Sequence, residues 1–397
     1  MRACGLIMRS WYQWYLGYNT AAMDRYKALK AHGTGRYGTV FKAAHRATGE
    51  IVAIKRMKRK VGSWDECMQL REVLSLRKLS HPHIVKLKEV IREDEYFYLV
   101  FEYLDQNLDQ LCKARAQRES SFSESSVRDM VRQLLQALAY VHERGFFHRD
   151  VKPENILVAG ASTLKLADFG VAREIRSRPP YTRYIGTRWY RAPELLLRAS
   201  DYTASIDVWA VGTIMAELLA LRPLFPGATE ADQIHRITAV LGAPTAATWQ
   251  QGIVLAQTRG VRFPKTDATP LAQLVPNASA DALDLMSLLL RWDPATRPTA
   301  AQALRHPFLQ KGAERPLGRM MGAAVAWMAK TGTHAEQHAD SGEEAEERLP
   351  GGGDDLRFTD STVAPREGGS VVSWLVSRGS RMAERTRQRR SATENEL

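Results

Sequence analysis

The chain has 397 residues, of which 44% are apolar and 25% are charged. This composition is typical of a globular protein and excludes a collagen-like, coiled-coil or fully disordered chain. Three cysteines without a CxxC spacing support neither a disulfide framework nor a zinc site, so a reducing compartment is expected. No apolar run approaches the roughly 18 residues that a membrane-spanning helix needs. The net charge of +12 favours anionic ligands or nucleic acid, although a solvated basic surface explains it equally well.

The sequence divides into three segments by composition. Residues 1–22 are rich in aromatic side chains and contain no acidic residue, and we interpret them as a disordered N-terminal extension, with a transit peptide as the alternative. Residues 23–310 alternate between strand-like and helix-like hydrophobic periodicity and are predicted to form the folded domain. Residues 311–397 lose this periodicity and are predicted to be a low-complexity, disordered tail. The apolar stretch Val371–Val376 in the tail is either a docking element or a chance cluster.

The folded segment begins with strands and continues with helices. The predicted strands form two pairs, Thr39–Phe41 with Ile51–Lys55 and Val85–Ile91 with Tyr96–Phe101. Amphipathic helices are predicted over Asp65–Leu79, between the two pairs, and over Ser123–Glu143. Ser205–Leu219 is apolar nearly all round, which indicates a buried helix. This order predicts an α+β fold of two lobes, a small β-rich N-terminal lobe with one main helix and a larger helical C-terminal lobe.

A glycine-rich segment precedes the strand that carries Lys55. Gly33, Gly35 and Gly38 occur in the pattern GxGxxGxV, and glycines allow a backbone to approach phosphate groups closely. Dinucleotide-binding folds use the same spacing, but they place a helix directly after the last glycine. Here a strand, a turn and a second strand follow, so the glycines belong to a hairpin that brings the Lys55 ammonium group near bound phosphates.

Carboxylate, ammonium and amide side chains then recur at short spacing. Asp150, Lys152 and Asn155 lie within eight residues, and Asp168 follows 13 residues after Asn155. Phosphoryl transfer needs such a set. A carboxylate accepts the proton of the attacking hydroxyl, a lysine steadies the charge on the γ-phosphoryl group, and an amide and a second carboxylate hold Mg²⁺.

These motifs, together with Ala192-Pro193-Glu194, resemble those of eukaryotic protein kinases over residues 24–310. The resemblance implies ATP as the nucleotide and Mg²⁺ as the metal. The implied catalytic residues are the base Asp150, the γ-phosphate contact Lys152, and the phosphate-binding Lys55 with its ion-pair partner Glu72. The implied metal ligands are Asn155 and Asp168. The resemblance also pairs Glu194 with Arg297 in a structural role.

The same resemblance outlines the ATP site. The residues that it assigns to the nucleotide are His32, Gly33, Gly35, Gly38, Val40, Ala53, Lys55, Phe101, Glu102, Leu104 and Leu157. Phe101 is the implied gatekeeper, and the hinge Glu102–Leu104 offers backbone groups to the adenine ring. His32 departs from the family pattern, which has an aliphatic residue covering the adenine at this position. An imidazole ring can still cover a base, so ATP binding is expected to survive.

Two segments narrow the resemblance. Thr187–Glu194 is similar to the branch of cyclin-dependent and mitogen-activated kinases, the CMGC group, and Trp64–Val73 is similar to the male-germ-cell-associated, intestinal-cell and long-flagella kinases. The resemblance implies a serine/threonine kinase that prefers proline after the phosphoacceptor, with Arg191 shaping the pocket, and that regulates the length of cilia or flagella. It further implies protein substrates, an upstream activating kinase, no obligate cyclin, and a monomer in the cytoplasm, cilium, flagellum or nucleus.

Other functions stay open from the sequence. One is a catalytically silent scaffold with the kinase fold, which requires the loss of a catalytic side chain, although none of them is missing here. Another is a cyclin-dependent or mitogen-activated type of kinase with different substrates. Nucleic-acid binding rests on charge alone, so neither nucleic acid nor a membrane is a predicted partner.

Phosphorylation of the segment around residues 171–191 is the expected switch. The predicted phosphosites are Thr182 and Tyr184, and the arginines predicted to bind their phosphates are Arg149, Arg188 and Arg191. Phosphotyrosine 184 is expected to meet Arg188 and Arg191, and phosphothreonine 182 to meet Arg149. Thr187 is expected to stay unmodified in the substrate groove. Arg183 occupies a position that is usually acidic in close relatives, and constitutive activity is the alternative.

Overall fold

An antiparallel sheet forms the N-terminal lobe, with its first five strands in the order β1-β2-β3-β5-β4. These strands are β1 (Tyr26–Thr34), β2 (Gly38–His45), β3 (Ile51–Met57), β4 (Leu87–Glu93) and β5 (Tyr96–Glu102). The computed structural model describes residues 22–34, 38–60, 62–93, 95–160, 162–175, 177, 187–311 and 357–361. Both predicted strand pairs are present, whereas β1 was not predicted. A short 3₁₀ turn over Ala22–Arg25 precedes β1, and Ala22, assigned from composition to the extension, is buried against the sheet.

The helix of the N-terminal lobe is broken where the periodicity predicts a continuous one. Two short helices, α1 (Trp64–Met68) and α2 (Arg71–Leu76), replace the helix predicted over Asp65–Leu79. Leu70 lies between them in an extended conformation, with φ −64° and ψ 133°. The apolar spacing continues across this break, because Leu70 packs on the same core as Val73 and Leu76. The break therefore leaves the buried face of α2 intact.

A sixth strand joins the sheet from the C-terminal region. β11 (Arg357–Ser361) pairs in parallel with β4, with Arg357 in register with Glu89 and Ser361 with Glu93. The prediction of a disordered tail is wrong at these five residues, because their backbone completes the sheet next to β4. The stretch Val371–Val376 lies outside the described residues.

Helices dominate the C-terminal lobe, which also contains short strands. The helices are α3 (Leu108–Gln117), α4 (Glu124–Glu143), α5 (Pro193–Leu196), α6 (Ser205–Ala220), α7 (Glu230–Leu241), α8 (Ala246–Thr258), α9 (Leu271–Leu274), α10 (Ala280–Leu289), α11 (Ala300–Ala303) and α12 (Pro307–Gln310). The strands are β6 (Gln106–Asn107), β7 (Phe146–Phe147), β8 (Ile156–Ala159), β9 (Thr163–Leu166) and β10 (Arg173–Glu174). This arrangement confirms the predicted α+β fold with a β-rich first lobe and a helical second lobe.

Two helices that were predicted from the sequence form the centre of the second lobe. Ser123 caps α4 by accepting a hydrogen bond from the backbone N–H of Ser126, and the apolar face of α4 packs on α6. α6 is buried along almost its whole length, as its apolar sequence predicts. Among the described residues, no helix is both long and apolar enough to span a membrane.

Candidate active site

Lys55 connects the two lobes through an ion-pair cluster. Its Nζ donates hydrogen bonds to both carboxylate oxygens of Glu72, at 2.9 and 2.8 Å, and to Oδ1 of Asp168, at 2.9 Å. β3 supplies the lysine, α2 supplies the glutamate, and the segment after β9 supplies the aspartate. Glu72 is 3% exposed and Lys55 is 9% exposed. The structure therefore forms the ion pair that the family resemblance implies.

The cluster favours the charged forms of Lys55 and Asp168. Burial alone opposes the charge of Lys55, but the carboxylates of Glu72 and Asp168 outweigh it and raise the lysine pKa. Burial likewise opposes the charge of Asp168, but the ammonium group of Lys55 outweighs it and lowers the aspartate pKa. At neutral pH the cleft thus presents an ammonium group and a carboxylate side by side, the pair that nucleotide phosphates and a metal ion require.

The backbone at Asp168 turns the carboxylate toward Lys55. Asp168 is in the left-handed region, with φ 62° and ψ 69°. Phe169, the next residue, is fully buried and contacts the His148 ring edge-to-face at 4.7 Å between centroids. Nε2 of His148 lies 3.0 Å from the carbonyl oxygen of Ala167, which ties the two segments together. Packing on both sides therefore holds this strained conformation.

Asp150 lies in a hydrogen-bonded loop with two other predicted site residues. Lys152 Nζ donates to Oδ2 of Asp150 at 3.0 Å, and Asn155 Nδ2 donates to the same oxygen at 2.9 Å and to the Asp150 carbonyl oxygen at 2.8 Å. Thr187 and Arg191 line the same cleft as Asp150 and Lys152. The loop thus places a carboxylate and an ammonium group in one cleft, with the amide of Asn155 bonded to that carboxylate.

Asp207 holds this loop in place, a role that the sequence did not predict. Its carboxylate accepts hydrogen bonds from the backbone N–H groups of His148 and Arg149, both at 2.8 Å, and lies 2.9 Å from Nε2 of His142. Burial opposes its ionisation, but the hydrogen bond and charge of His142 outweigh burial and lower the pKa. The available signal was a lone acidic residue within the otherwise apolar first half of α6.

The walls of the predicted adenine site come from both lobes. Ala53 of β3 is in register with Phe101 of β5, and the hinge follows β5 directly. Val40, Ala53 and Leu157 are all half-buried, so each apolar side chain keeps part of its surface exposed. The Glu102 carboxylate is engaged elsewhere, because it accepts hydrogen bonds from Lys165 Nζ at 2.8 and 3.0 Å. The backbone N–H of Glu102 is engaged as well, because it donates to the carbonyl oxygen of Lys86 at 3.2 Å.

Gly38 and Gly33 differ in how closely they are packed. A Cβ at Gly38 would lie 2.3 Å from the carbonyl oxygen of Arg56, so the close pairing of β2 with β3 excludes any side chain there. A Cβ at Gly33 would meet nothing within 4 Å among the described residues, so packing does not require a glycine there. Gly35 lies outside the described residues.

The predicted phosphate-binding arginines are engaged with neighbouring groups. Arg149 donates to the carbonyl oxygen of Val171 at 3.1 Å and to the Tyr202 hydroxyl at 2.6 Å, with φ 74°. Arg188 donates to the carbonyl oxygen of Ala228 at 3.4 Å, and Arg191 lies 4.0 Å from the carboxylate of Glu230. The phosphosites Thr182 and Tyr184 lie outside the described residues, so their contacts with these arginines stay predictions.

Glu194 and Arg297 form the structural pair that the resemblance implies. The guanidinium group donates to the two carboxylate oxygens at 2.7 and 2.8 Å, and both residues are buried. This bidentate pair fixes α5, which follows the cleft-lining residues Thr187 and Arg191, against the body of the C-terminal lobe.

Two features lie at the cleft between the two lobes. One is the ion pair of Lys55 with Glu72, here called the lysine clamp, and the other is the loop that carries Asp150, Lys152 and Asn155, here called the catalytic loop. Together with the two-lobed fold they define a protein kinase domain. The sequence profile described as "Protein kinase domain" matches residues 26–309. The chain therefore belongs to the protein kinase family, and its motifs place it in the CMGC branch with the male-germ-cell-associated and intestinal-cell kinases.

Three relatives illustrate this placement. The chain is 56% identical over 290 residues to serine/threonine-protein kinase MAK of Mus musculus, covering 73% of this chain and 46% of that protein. It is 54% identical over 296 residues to serine/threonine-protein kinase ICK of Rattus norvegicus, covering 75% and 46%. It is 53% identical over 288 residues to cyclin-dependent kinase F-4 of Oryza sativa subsp. japonica, covering 72% and 62%. The chain thus spans about half the length of the first two relatives.

Proposed function

We propose that this chain transfers the γ-phosphate of ATP to serine or threonine residues of protein substrates. The observation that carries the proposal is the catalytic loop, in which Oδ2 of Asp150 is held by Lys152 and Asn155. This arrangement orients the other carboxylate oxygen of Asp150 toward the hydroxyl of a substrate, whose proton it accepts as the oxygen attacks. Lys55 orients the α- and β-phosphates from the opposite wall, and Lys152 contacts the γ-phosphate.

Asn155 and Asp168 fit the Mg²⁺ that the family implies. Mg²⁺ prefers hard oxygen ligands. The Asn155 amide nitrogen is engaged by Asp150, so the amide oxygen is the atom that remains for a metal. One carboxylate oxygen of Asp168 faces Lys55, and the side chain is 31% exposed at the cleft. When bound, Mg²⁺ neutralises phosphate charge.

Preference for proline after the phosphoacceptor is part of the proposal. Arg191 is 9% exposed and lines the cleft next to Asp150, Lys152 and Thr187. A fixed, buried side chain at this position makes a shaped pocket beside the catalytic loop. Proline suits such a pocket because its ring is rigid and it has no backbone N–H that needs a hydrogen-bond partner.

A peptide array with radiolabelled ATP tests both parts of the proposal. Each Ser-Pro or Thr-Pro peptide is paired with a twin in which alanine replaces the proline. We expect transfer to serine and threonine, with roughly tenfold weaker labelling of the alanine twins, a difference of about 1.4 kcal/mol. Asp150→Asn is the matched control, since it keeps the side-chain shape, and we expect it to lower kcat by about 10² to 10⁴-fold.

The outcomes of this assay separate the two parts. Equal labelling by the wild type and by folded Asp150→Asn would contradict the role of Asp150. Equal labelling of proline and alanine twins would remove the proline preference and leave the kinase activity. A silent scaffold gains no support, because the lysine clamp and the catalytic loop are both assembled among the described residues.

We propose the cellular role on the resemblance of Trp64–Val73 to kinases that include the long-flagella kinases. In this proposal a monomeric kinase, which needs an upstream activating kinase and no obligate cyclin, acts in the cytoplasm, the cilium or flagellum, or the nucleus and limits organelle length. Depletion in a ciliated cell, with rescue by wild type or by Asp150→Asn, tests it. Longer cilia that only the wild type restores would support the proposal, and unchanged length after depletion would refute it.

A further inference from the structure

A hydrogen bond crosses the rim of the cleft in which ATP is proposed to bind. Nε2 of His32, near the end of β1, lies 3.0 Å from the hydroxyl of Tyr103, the residue that directly follows β5. The two rings are 5.5 Å apart between centroids and tilted by 52°. β1 belongs to the upper wall of the cleft and Tyr103 to the hinge, so the bond joins the two walls.

Tyr103 is also held by contacts that do not involve His32. Nζ of Lys42, on β2, lies 4.1 Å from the centroid of the tyrosine ring, a cation–π contact. The same ammonium group lies 3.8 Å from Oδ1 of Asp105, just beyond the hinge. These contacts fix the orientation of the ring independently of its hydroxyl. The hydroxyl of Tyr103 is therefore the group that links it to β1, through the hydrogen bond to His32.

The bond lies at the outer edge of the predicted adenine site. His32 directly precedes Gly33, and Tyr103 lies between Glu102 and Leu104, whose backbones are the predicted hinge contacts. Both rings are in contact with solvent, His32 being exposed and Tyr103 half-buried. An aliphatic side chain, which the family pattern has at the position of His32, cannot form this bond, because it carries neither a donor nor an acceptor.

We propose that the His32–Tyr103 hydrogen bond is a gate over the adenine cleft that limits how fast the nucleotide binds and leaves. The inference rests on the proposed ATP-dependent function. In this proposal β1 moves away from the hinge to admit or release the base, and this movement breaks the bond. The bond forms both in the empty protein and in the nucleotide-bound protein. It therefore slows binding and release by the same factor and leaves the Kd unchanged.

The magnitude follows from the strength of one hydrogen bond. A net contribution of about 0.5 to 1.5 kcal/mol corresponds to a change of about 2- to 10-fold in a rate. Tyr103→Phe removes only the hydroxyl and keeps the ring beside Lys42. His32→Val restores the aliphatic character of the family. Each is expected to raise the association and dissociation rate constants of nucleotide by about 2- to 10-fold. In Tyr103→Phe, which leaves His32 in place, the Kd should change by less than about 2-fold.

Stopped-flow fluorescence with the full chain and a ribose-labelled fluorescent ADP measures both rate constants. The double variant His32→Val/Tyr103→Phe should be no faster than either single variant, because both remove the same bond. Tyr96→Phe, a hydroxyl deletion elsewhere in the N-terminal lobe, is the matched control.

Each of the following outcomes would contradict the proposed role of the bond as a gate. Unchanged rate constants in Tyr103→Phe and His32→Val would show that the bond does not limit the passage of nucleotide. Faster dissociation in Tyr103→Phe with a matching loss of affinity would show that the hydroxyl contacts the bound nucleotide directly instead. Additive effects in the double variant would show two separate roles. If the wild type bound no labelled ADP, the proposed ATP-dependent function would fail, and the gate with it.

Discussion

Glu217 is expected to make the stability of this protein fall as the pH rises toward neutrality. The residue lies on α6, is 5% exposed, and accepts a hydrogen bond from the Tyr190 hydroxyl at 2.8 Å. Burial raises its pKa from 4.5 to about 7. The Tyr190 hydrogen bond opposes this rise, and the negative charges of Glu154 and Asp109 add to it. The folded protein therefore keeps a proton on Glu217 at pH values where the unfolded chain has lost it.

The sign and the size of the effect follow from this difference. Between pH 4.5 and about 7 the folded state binds more protons than the unfolded state, so the free energy of unfolding decreases as the pH increases. The stabilisation is fully present below pH 4.5 and is lost once the pH passes the folded pKa. At about 1.4 kcal/mol for each unit of pKa, the loss over the whole window is about 3 kcal/mol.

Urea unfolding of the wild type and of Glu217→Gln at pH 5 and at pH 8 measures this loss. Glutamine does not titrate and can still accept the Tyr190 hydrogen bond. Comparison of the two proteins therefore removes the contribution of all other titrating groups to the pH dependence of the free energy of unfolding. We expect the wild type to lose about 2–3 kcal/mol more than the variant between the two pH values. Parallel pH dependences of the two proteins would refute the assignment of the shifted group to Glu217.

Two further predictions concern the lysine clamp and the added strand. Lys55→Met should fold but lose at least about 10²-fold in kcat. It should also unfold more easily, because Glu72 stays buried without its partner; near-native peptide phosphorylation would contradict the role of Lys55. Removal of residues 312–397 should speed amide hydrogen exchange in β4, whose parallel partner β11 is lost, but leave β3 unchanged. Identical exchange in β4 with and without the tail would argue against this pairing.

Local sequence patterns predict the helices and strands whose stabilising contacts come from residues close together in the chain. α4 was predicted to within one residue, since its N-cap Ser123 and its apolar positions are all local. β1 was missed, because Tyr26–Thr34 is rich in alanine and lysine and becomes a strand by pairing with β2. The break at Leu70 was missed for a related reason. The apolar spacing continues across it, and only the backbone changes direction.

The candidate site shows the same division between local signals and long-range contacts. Asp150, Lys152 and Asn155 are close in sequence, so their short spacing is enough to indicate a shared task. Asp207 bonds to backbone groups 58 and 59 residues away, and no spacing rule connects it to them. The His32–Tyr103 bond likewise has no sequence signal, because it depends on how β1 and the hinge face each other across the cleft.

One buried helix positions both halves of the candidate site. Asp207, near the start of α6, accepts hydrogen bonds from the loop that carries Asp150, while Glu217, ten residues and about 15 Å farther along, accepts one from Tyr190. Tyr190 follows Thr187 in the segment that lines the substrate cleft. At a pH between their two pKa values, Asp207 is charged and Glu217 is neutral, since the pKa of Asp207 is lowered and that of Glu217 is raised. We therefore expect a pH change near neutrality to act on the Tyr190 end of this helix, where the carboxyl group of Glu217 loses its proton.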